Sequence, residues 1–134
     1  MNILLDTHTL LWFLTDDAAL SPLAKQTIED LHNQVFISPA SYWEIAIKIS
    51  LGKYQLNESL DSFIENQLEK NQFLILPILP THTNAIIDLH LHHRDTFDRL
   101  MIAQALVEKM AFISADHVIK LYPITPISTF KCLK

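Results

Sequence analysis

Glycine occurs once in the whole chain, at Gly52. That scarcity excludes the glycine-rich loops that cradle phosphates and the glycine fingerprint of dinucleotide binding, and it leaves nothing to build a flexible linker. Cysteine also occurs once, at Cys132, so no internal disulfide and no multi-cysteine zinc site can form. A reducing, cytoplasmic setting is the expectation. No apolar run approaches the eighteen or so residues of a membrane span. The N-terminus carries no basic region before its apolar residues, and Asp6 breaks them at once, so neither a signal peptide nor a membrane role is expected. Positive charge is short as well: ten Lys and Arg against fifteen Asp and Glu give a net charge of −5. Nucleic-acid binders usually show a basic face, although a bound divalent metal reverses the sign of an acidic pocket.

Apolar residues are plentiful. At 134 residues and 49% hydrophobic, the chain suits one packed domain over residues 1–134. Short apolar runs alternate with longer amphipathic ones. Ile3 to Leu5, Val35 to Ile37, Phe73 to Leu76 and Ala111 to Ile113 read as strands, with Tyr122 to Ile127 as a candidate fifth. Leu10 to Leu14 reads as a helix. Ser21-Pro22 and Ser38-Pro39 each pair a capping serine with a first-turn proline. The first opens a helix to about Leu31, and the second a helix stopped at Gly52, where a left-handed residue fits. Leu60, Phe63, Ile64 and Leu68 form a helical stripe, and residues 82–91 and 97–109 read as two further helices. Short apolar strands separated by helices imply a parallel sheet covered on both faces. In such folds ligands gather beyond the carboxyl ends of the strands.

That rule selects four acids. Asp6 directly follows the first strand, Glu44 lies in the helix after the second, Asp98 opens the helix leading to the fourth, and Asp116 follows the fourth. Each also has an ordinary reading. Asp6 can cap the next helix, Glu44 precedes Lys48 in the favourable order for a surface ion pair, Asp98 can be half of a capping box with Asp95, and Asp116 can be a turn residue. Together, carboxylates gathered at one edge would repel one another unless a hard cation compensated them. Mg²⁺ or Mn²⁺ suits such oxygen ligands, and these ions support in-line displacement at phosphorus. Phosphodiester hydrolysis is the indicated chemistry.

Other features weigh less. His8 stands where a covalent aspartyl phosphotransferase would need a second aspartate. The HLHH run at 90–93 has no partner at familiar zinc-ligand spacing and reads as structural or surface histidine. Trp12, Phe13, Tyr42 and Trp43 flank the acids, and core packing is the expectation for most of them. A receiver-like signalling module binding Mg²⁺ is the non-enzymatic rival, but the first strand supplies one acid and Pro77 to Pro80 supplies no phosphoacceptor.

The segments LLDTHTLLW (4–12), SPASYWEIAIKISLGK (38–53), HHRDTFDRLMIAQA (92–105) and FISAD (112–116) resemble the PIN-domain nucleases, specifically the VapC-like toxins of bacterial toxin–antitoxin pairs. The resemblance implies a three-layer α/β/α fold with a central parallel sheet of four to five strands. It implies that Asp6, Glu44 and Asp98 are core metal-binding acids and Asp116 a fourth, more variable one, with Asp95 left as the helix cap. It further implies Mg²⁺- or Mn²⁺-dependent endoribonuclease activity on RNA, a cognate antitoxin, and a homodimer or larger toxin–antitoxin assembly. A PIN nuclease that processes RNA without an antitoxin is the alternative. The family commonly has proline where Thr96 stands here, a first-turn position that tolerates threonine.

Overall fold

The computed structural model describes residues 1–89 and 95–114, together with the backbone of 125–128. Its described elements run β1 (Asn2–Leu5), α1 (Thr7–Leu14), α2 (Pro22–Glu29), β2 (Gln34–Ile37), α3 (Pro39–Ser50), α4 (Leu60–Asn71), β3 (Leu74–Ile75), α5 (Pro80–Ile87), α6 (Thr96–Glu108), β4 (Ala111–Ser114) and β5 (Thr125–Ser128). The strands form one sheet in the order β3-β2-β1-β4-β5, and every pairing is parallel. This is the expected α/β/α sandwich with five strands.

Side chains on a strand point alternately to its two faces, and that alternation builds both cores. Ile3, Leu5, Val35, Ile37 and Ile113 pack on one face with Leu10 and Leu11 of α1, Ala24 and Ile28 of α2, and Ile45 of α3. Leu4 and Phe112 pack on the other with Ala40 of α3 and Met101, Ile102 and Ala105 of α6. α3 contributes to both cores, so its seam with α6 lies at the junction of the two.

Both serine–proline starts form as expected. Ser21 Oγ accepts from the Ala24 amide and Ser38 Oγ from the Ala40 amide. Gly52 adopts φ +73 just beyond α3. Some expectations need correction. The helix expected over residues 82–91 starts at Pro80 and stops at Ile87, and the one expected from Leu10 already starts at Thr7. α2 ends at Glu29, and Leu31 lies beyond it and is exposed. Asp30 turns back to bond the His32 amide instead, an aspartate habit that competes with helix continuation. β3 is only Leu74–Ile75, both exposed. The apolar run marked an edge strand rather than a fully covered one. It sits at the end of the sheet, with β2 as its one neighbour.

The connector from β3 to α6 is tied down by buried polar groups. Gln104 Nε2 donates to the Leu76 and Pro77 carbonyls. His82 is fully buried. Its Nδ1 accepts from the Leu79 amide at 3.0 Å, which requires the proton on Nε2, and Nε2 donates to Glu108 Oε2 at 2.6 Å. One histidine thus joins the start of α5 to the end of α6.

Candidate metal centre

The sheet order reverses direction between β1 and β4, and at such a switch point the following loops part to leave a crevice. Asp6 stands at that point. It is the N-cap of α1, accepting from the Thr9 amide through Oδ1 at 2.7 Å, while Ser114 Oγ at the end of β4 donates to Oδ2 at 2.7 Å. The Asp6 amide and the Thr9 hydroxyl both donate to the Ile113 carbonyl, at 3.0 Å and 3.2 Å. The carboxylate is 2% exposed, and its orientation is set from β1, α1 and β4 together. Its capping role, one of the two expected of it, is present. Ser114 had no assigned role in the sequence, although its place at a strand's carboxyl end marks it by the same rule that selected Asp6.

Glu44 is the second acid and is also buried, at 8% exposure. The expected pair with Lys48 exists, at a long 3.8 Å from Oε2 to Nζ, but the glutamate is not a surface residue. Its other oxygen, Oε1, is buried with no hydrogen-bond partner among the described residues. Leaving a carboxylate oxygen buried without a donor is costly, and a cation is the natural compensation. On that ground Glu44 fits the role of a ligand to a hard divalent ion.

Asp98 lies in the first turn of α6. Asp95 is the N-cap there, its carboxylate accepting from the Asp98 amide at 3.0 Å, so Asp95 carries the capping role expected of it. α6 precedes β4, which runs parallel to β1, so the helix starts at the carboxyl edge where Asp6 stands.

Three contacts join the helices that carry these acids. Thr7 Oγ1 of α1 donates to Ser41 Oγ of α3 at 3.1 Å, and Ser41 Oγ lies 3.5 Å from Met101 Sδ of α6. The Trp43 and Phe97 rings meet edge to face at 5.0 Å between centroids. Thr7 adjoins Asp6, Ser41 is one turn before Glu44, Met101 is one turn after Asp98, and Phe97 adjoins Asp98. The packing therefore gathers the segments bearing Asp6, Glu44 and Asp98. It does not bring the carboxylates to ligand spacing: among the described residues, no three His, Cys, Asp or Glu side chains form a group that would hold a metal ion. Asp6 is drawn toward Thr9 and Ser114, and Glu44 toward Lys48, as mutual repulsion among carboxylates favours. Asp116, His90, His92 and His93 lie outside the described residues.

Two basic groups flank the acids. Lys48 reaches toward Glu44, and Arg99 follows Asp98 with its Nε buried and without a hydrogen-bond partner among the described residues. Burial pushes the Tyr42 hydroxyl up to about 12, and that oxygen also lacks a partner among the described residues. Trp12, Phe13 and Tyr42 pack partly buried against the core, as expected. Trp43 does not: it is 57% exposed.

Among solved structures the fold has several counterparts. VapBC2 from Rickettsia felis, solved bound to a DNA fragment from its promoter, superposes with a TM-score of 0.72 at 16% identity, over 96% of this chain and 98% of that one. A toxin–antitoxin complex from Klebsiella pneumoniae gives 0.63 at 16% identity, covering 96% and 98%. FitAcB from Neisseria gonorrhoeae gives 0.60 at 17% identity, covering 93% and 96%. At such identities the likeness is one of fold. No curated protein sequence matches the chain. The PIN domain model matches residues 3–124, nearly the full length, and with the all-parallel sheet in place the chain belongs to the PIN domain family.

Proposed function

We propose that this PIN domain is a Mg²⁺- or Mn²⁺-dependent endoribonuclease and the toxin of a cytoplasmic toxin–antitoxin pair. The buried oxygen of Glu44, without a partner among the described residues, carries the metal reading, because a carboxylate oxygen held that way at the seam of α3 and α6 calls for a cation. Asp6, Glu44 and Asp98 are the ligands of this reading, with Asp116 as the fourth. When bound, the ion would activate a water and stabilise the leaving oxygen of a phosphodiester. The chain's own residues do the rest. Ser114 and the Thr9 amide fix the Asp6 carboxylate, Asp95 fixes the first turn that presents Asp98, and Lys48 and Arg99 offset the negative charge of an incoming backbone. Similarity to toxin–antitoxin complexes supports an antitoxin partner for this chain, and a homodimer within a larger toxin–antitoxin assembly belongs to the same reading.

Purified protein incubated with end-labelled structured RNA should cleave it with Mn²⁺ and not with chelator. Asp6→Asn, Glu44→Gln and Asp98→Asn should each abolish cleavage, and Asp116→Asn should weaken it, since water can replace one ligand of a hydrated ion. Undiminished cleavage by Glu44→Gln would remove the basis of the metal reading.

A further inference from the structure

We propose that Trp43 is a binding residue for nucleic acid, a platform on which one unpaired base of the substrate stacks beside the metal centre. This rests on the ribonuclease reading above. Ala40 of α3 packs in the core with Met101 and Ile102 of α6, and Trp43 meets Phe97 of α6. Glu44, four residues after Ala40, shares that face of the helix. The α3–α6 seam thus holds the buried Glu44 within and the indole at its rim.

Trp43 is the exposed exception among the flanking aromatics, at 57%. Its one ring contact among the described residues is nearly perpendicular, with planes at 88°. Such an arrangement occupies at most one face of the indole and braces the ring without covering it. Phe97 adjoins Asp98, so the bracing contact also ties the platform to the turn that presents that acid. Every base has a π-face, and stacking on an aromatic ring is tolerant of sequence. Lys48 and Arg99 supply positive charge along the same two helices, where a backbone joined to the stacked base would run. Trp43 is therefore placed to hold an unpaired nucleotide while the adjoining phosphodiester faces the acids.

The chain has two tryptophans, so a Trp12→Phe background leaves Trp43 as the sole indole reporter. In that background, with Asp6→Asn added to prevent cleavage, a short unstructured RNA should quench the remaining emission saturably in the presence of Mn²⁺. In the cleaving enzyme, Trp43→Leu should raise KM roughly ten-fold while kcat stays nearly constant, and Trp43→Phe should recover most of the loss. A thermal melt should confirm that Trp43→Leu is folded. Unquenched emission while labelled RNA binds, together with an unchanged KM for Trp43→Leu, would overturn the stacking role and leave the nuclease reading standing. Altered self-association of Trp43→Leu with an unchanged KM would assign the indole, together with exposed Ile47 and Leu51 one and two turns on, to a protein interface and overturn the proposal equally. Absence of any binding or cleavage by the unsubstituted protein would overturn both readings.

Discussion

Asp95 and Asp98 share one helical turn, but their side chains meet different demands. The Asp95 carboxylate accepts the Asp98 amide at 3.0 Å, closing an otherwise orphaned donor at the start of α6. Asp95→Ala should therefore cost about 1 kcal/mol in a thermal melt while sparing cleavage at saturating Mn²⁺, and Asp95→Ser should restore the loss. Asp98→Ala should show the opposite balance, losing cleavage and only a few tenths of a kcal/mol through the helix dipole, by a rough reading of its low end. An inactive but fully stable Asp95→Ala beside an active Asp98→Ala would reverse the two roles. The sequence showed the acids and their spacing but could not separate a capping Asp6 from a metal-binding one, because capping and metal binding place the same residue type at the same edge. Nor did it show that Glu44 would be buried, since its i,i+4 relation to Lys48 is equally that of a surface pair. Tyr42 offers a test of a different kind. Its buried hydroxyl has no partner among the described residues, so Tyr42→Phe should leave stability unchanged or raise it at neutral pH. Burial raises the phenol from its ordinary 10.0 to about 12, and the neutral form is the one the fold prefers. That contribution is fully present below 10 and is lost as pH rises toward 12. Urea titrations across the window should show the wild type losing more stability than Tyr42→Phe, and parallel losses would refute the assignment.

At the scale of elements, the scarcity of glycine has a measurable consequence. α3 is followed by Gly52 at φ +73, but α4 and α6 end on Gln72 and Lys109, each at φ +57. Left-handed backbone disfavours residues with a Cβ by roughly 1–2 kcal/mol. Gln72→Gly and Lys109→Gly should therefore each raise stability by about 0.5–1 kcal/mol, while Gly52→Ala should lower it by about 1 kcal/mol even though open space surrounds the added carbon. Denaturant midpoints would check all three, and a destabilised Lys109→Gly would mean that the lysine side chain contributes more than the strain costs. Helix starts were legible because serine and proline carry local, directional signals. Helix ends were less so. No glycine marks the ends of α4 and α6, and the end of α2 was placed too late because Leu31 continued the apolar pattern into a turn. β3 was legible as a strand, but its edge position was not, for a tertiary reason. Phe73 to Leu76 is apolar enough for a central strand, but only pairing order decides that its middle two residues lie at an exposed edge.

For the whole molecule, the α/β/α order was legible from alternating apolar runs, and the carboxyl-edge rule placed Asp6 and the start of α6 at one edge because topology alone carries them there. Ligand spacing was not legible, since it depends on which partner each carboxylate takes when no cation is bound. The packing answers that for two of them: Asp6 faces the Thr9 amide and Ser114, and Glu44 faces Lys48. In the proposed metal reading, the free energy that draws the carboxylates to ligand spacing comes from the ion. An ion that binds only the folded chain stabilises it by about 2.7 kcal/mol at a hundred-fold excess over Kd. A Mn²⁺ titration should accordingly raise the melting temperature of the wild type in proportion to the logarithm of ion concentration, and chelator should return it. Glu44→Gln removes a charge that repels the other acids while keeping the side chain's shape, so its melting temperature without metal should equal or exceed that of the wild type. The same variant should respond weakly to Mn²⁺, because a neutral amide is a poor ligand for a hard cation. The two halves of this prediction are read in one experiment. If Glu44→Gln melts lower than the wild type in chelator, the carboxylate is held by a structural partner. If it gains as much from Mn²⁺ as the wild type does, the ion binds elsewhere and Glu44 is not among its ligands.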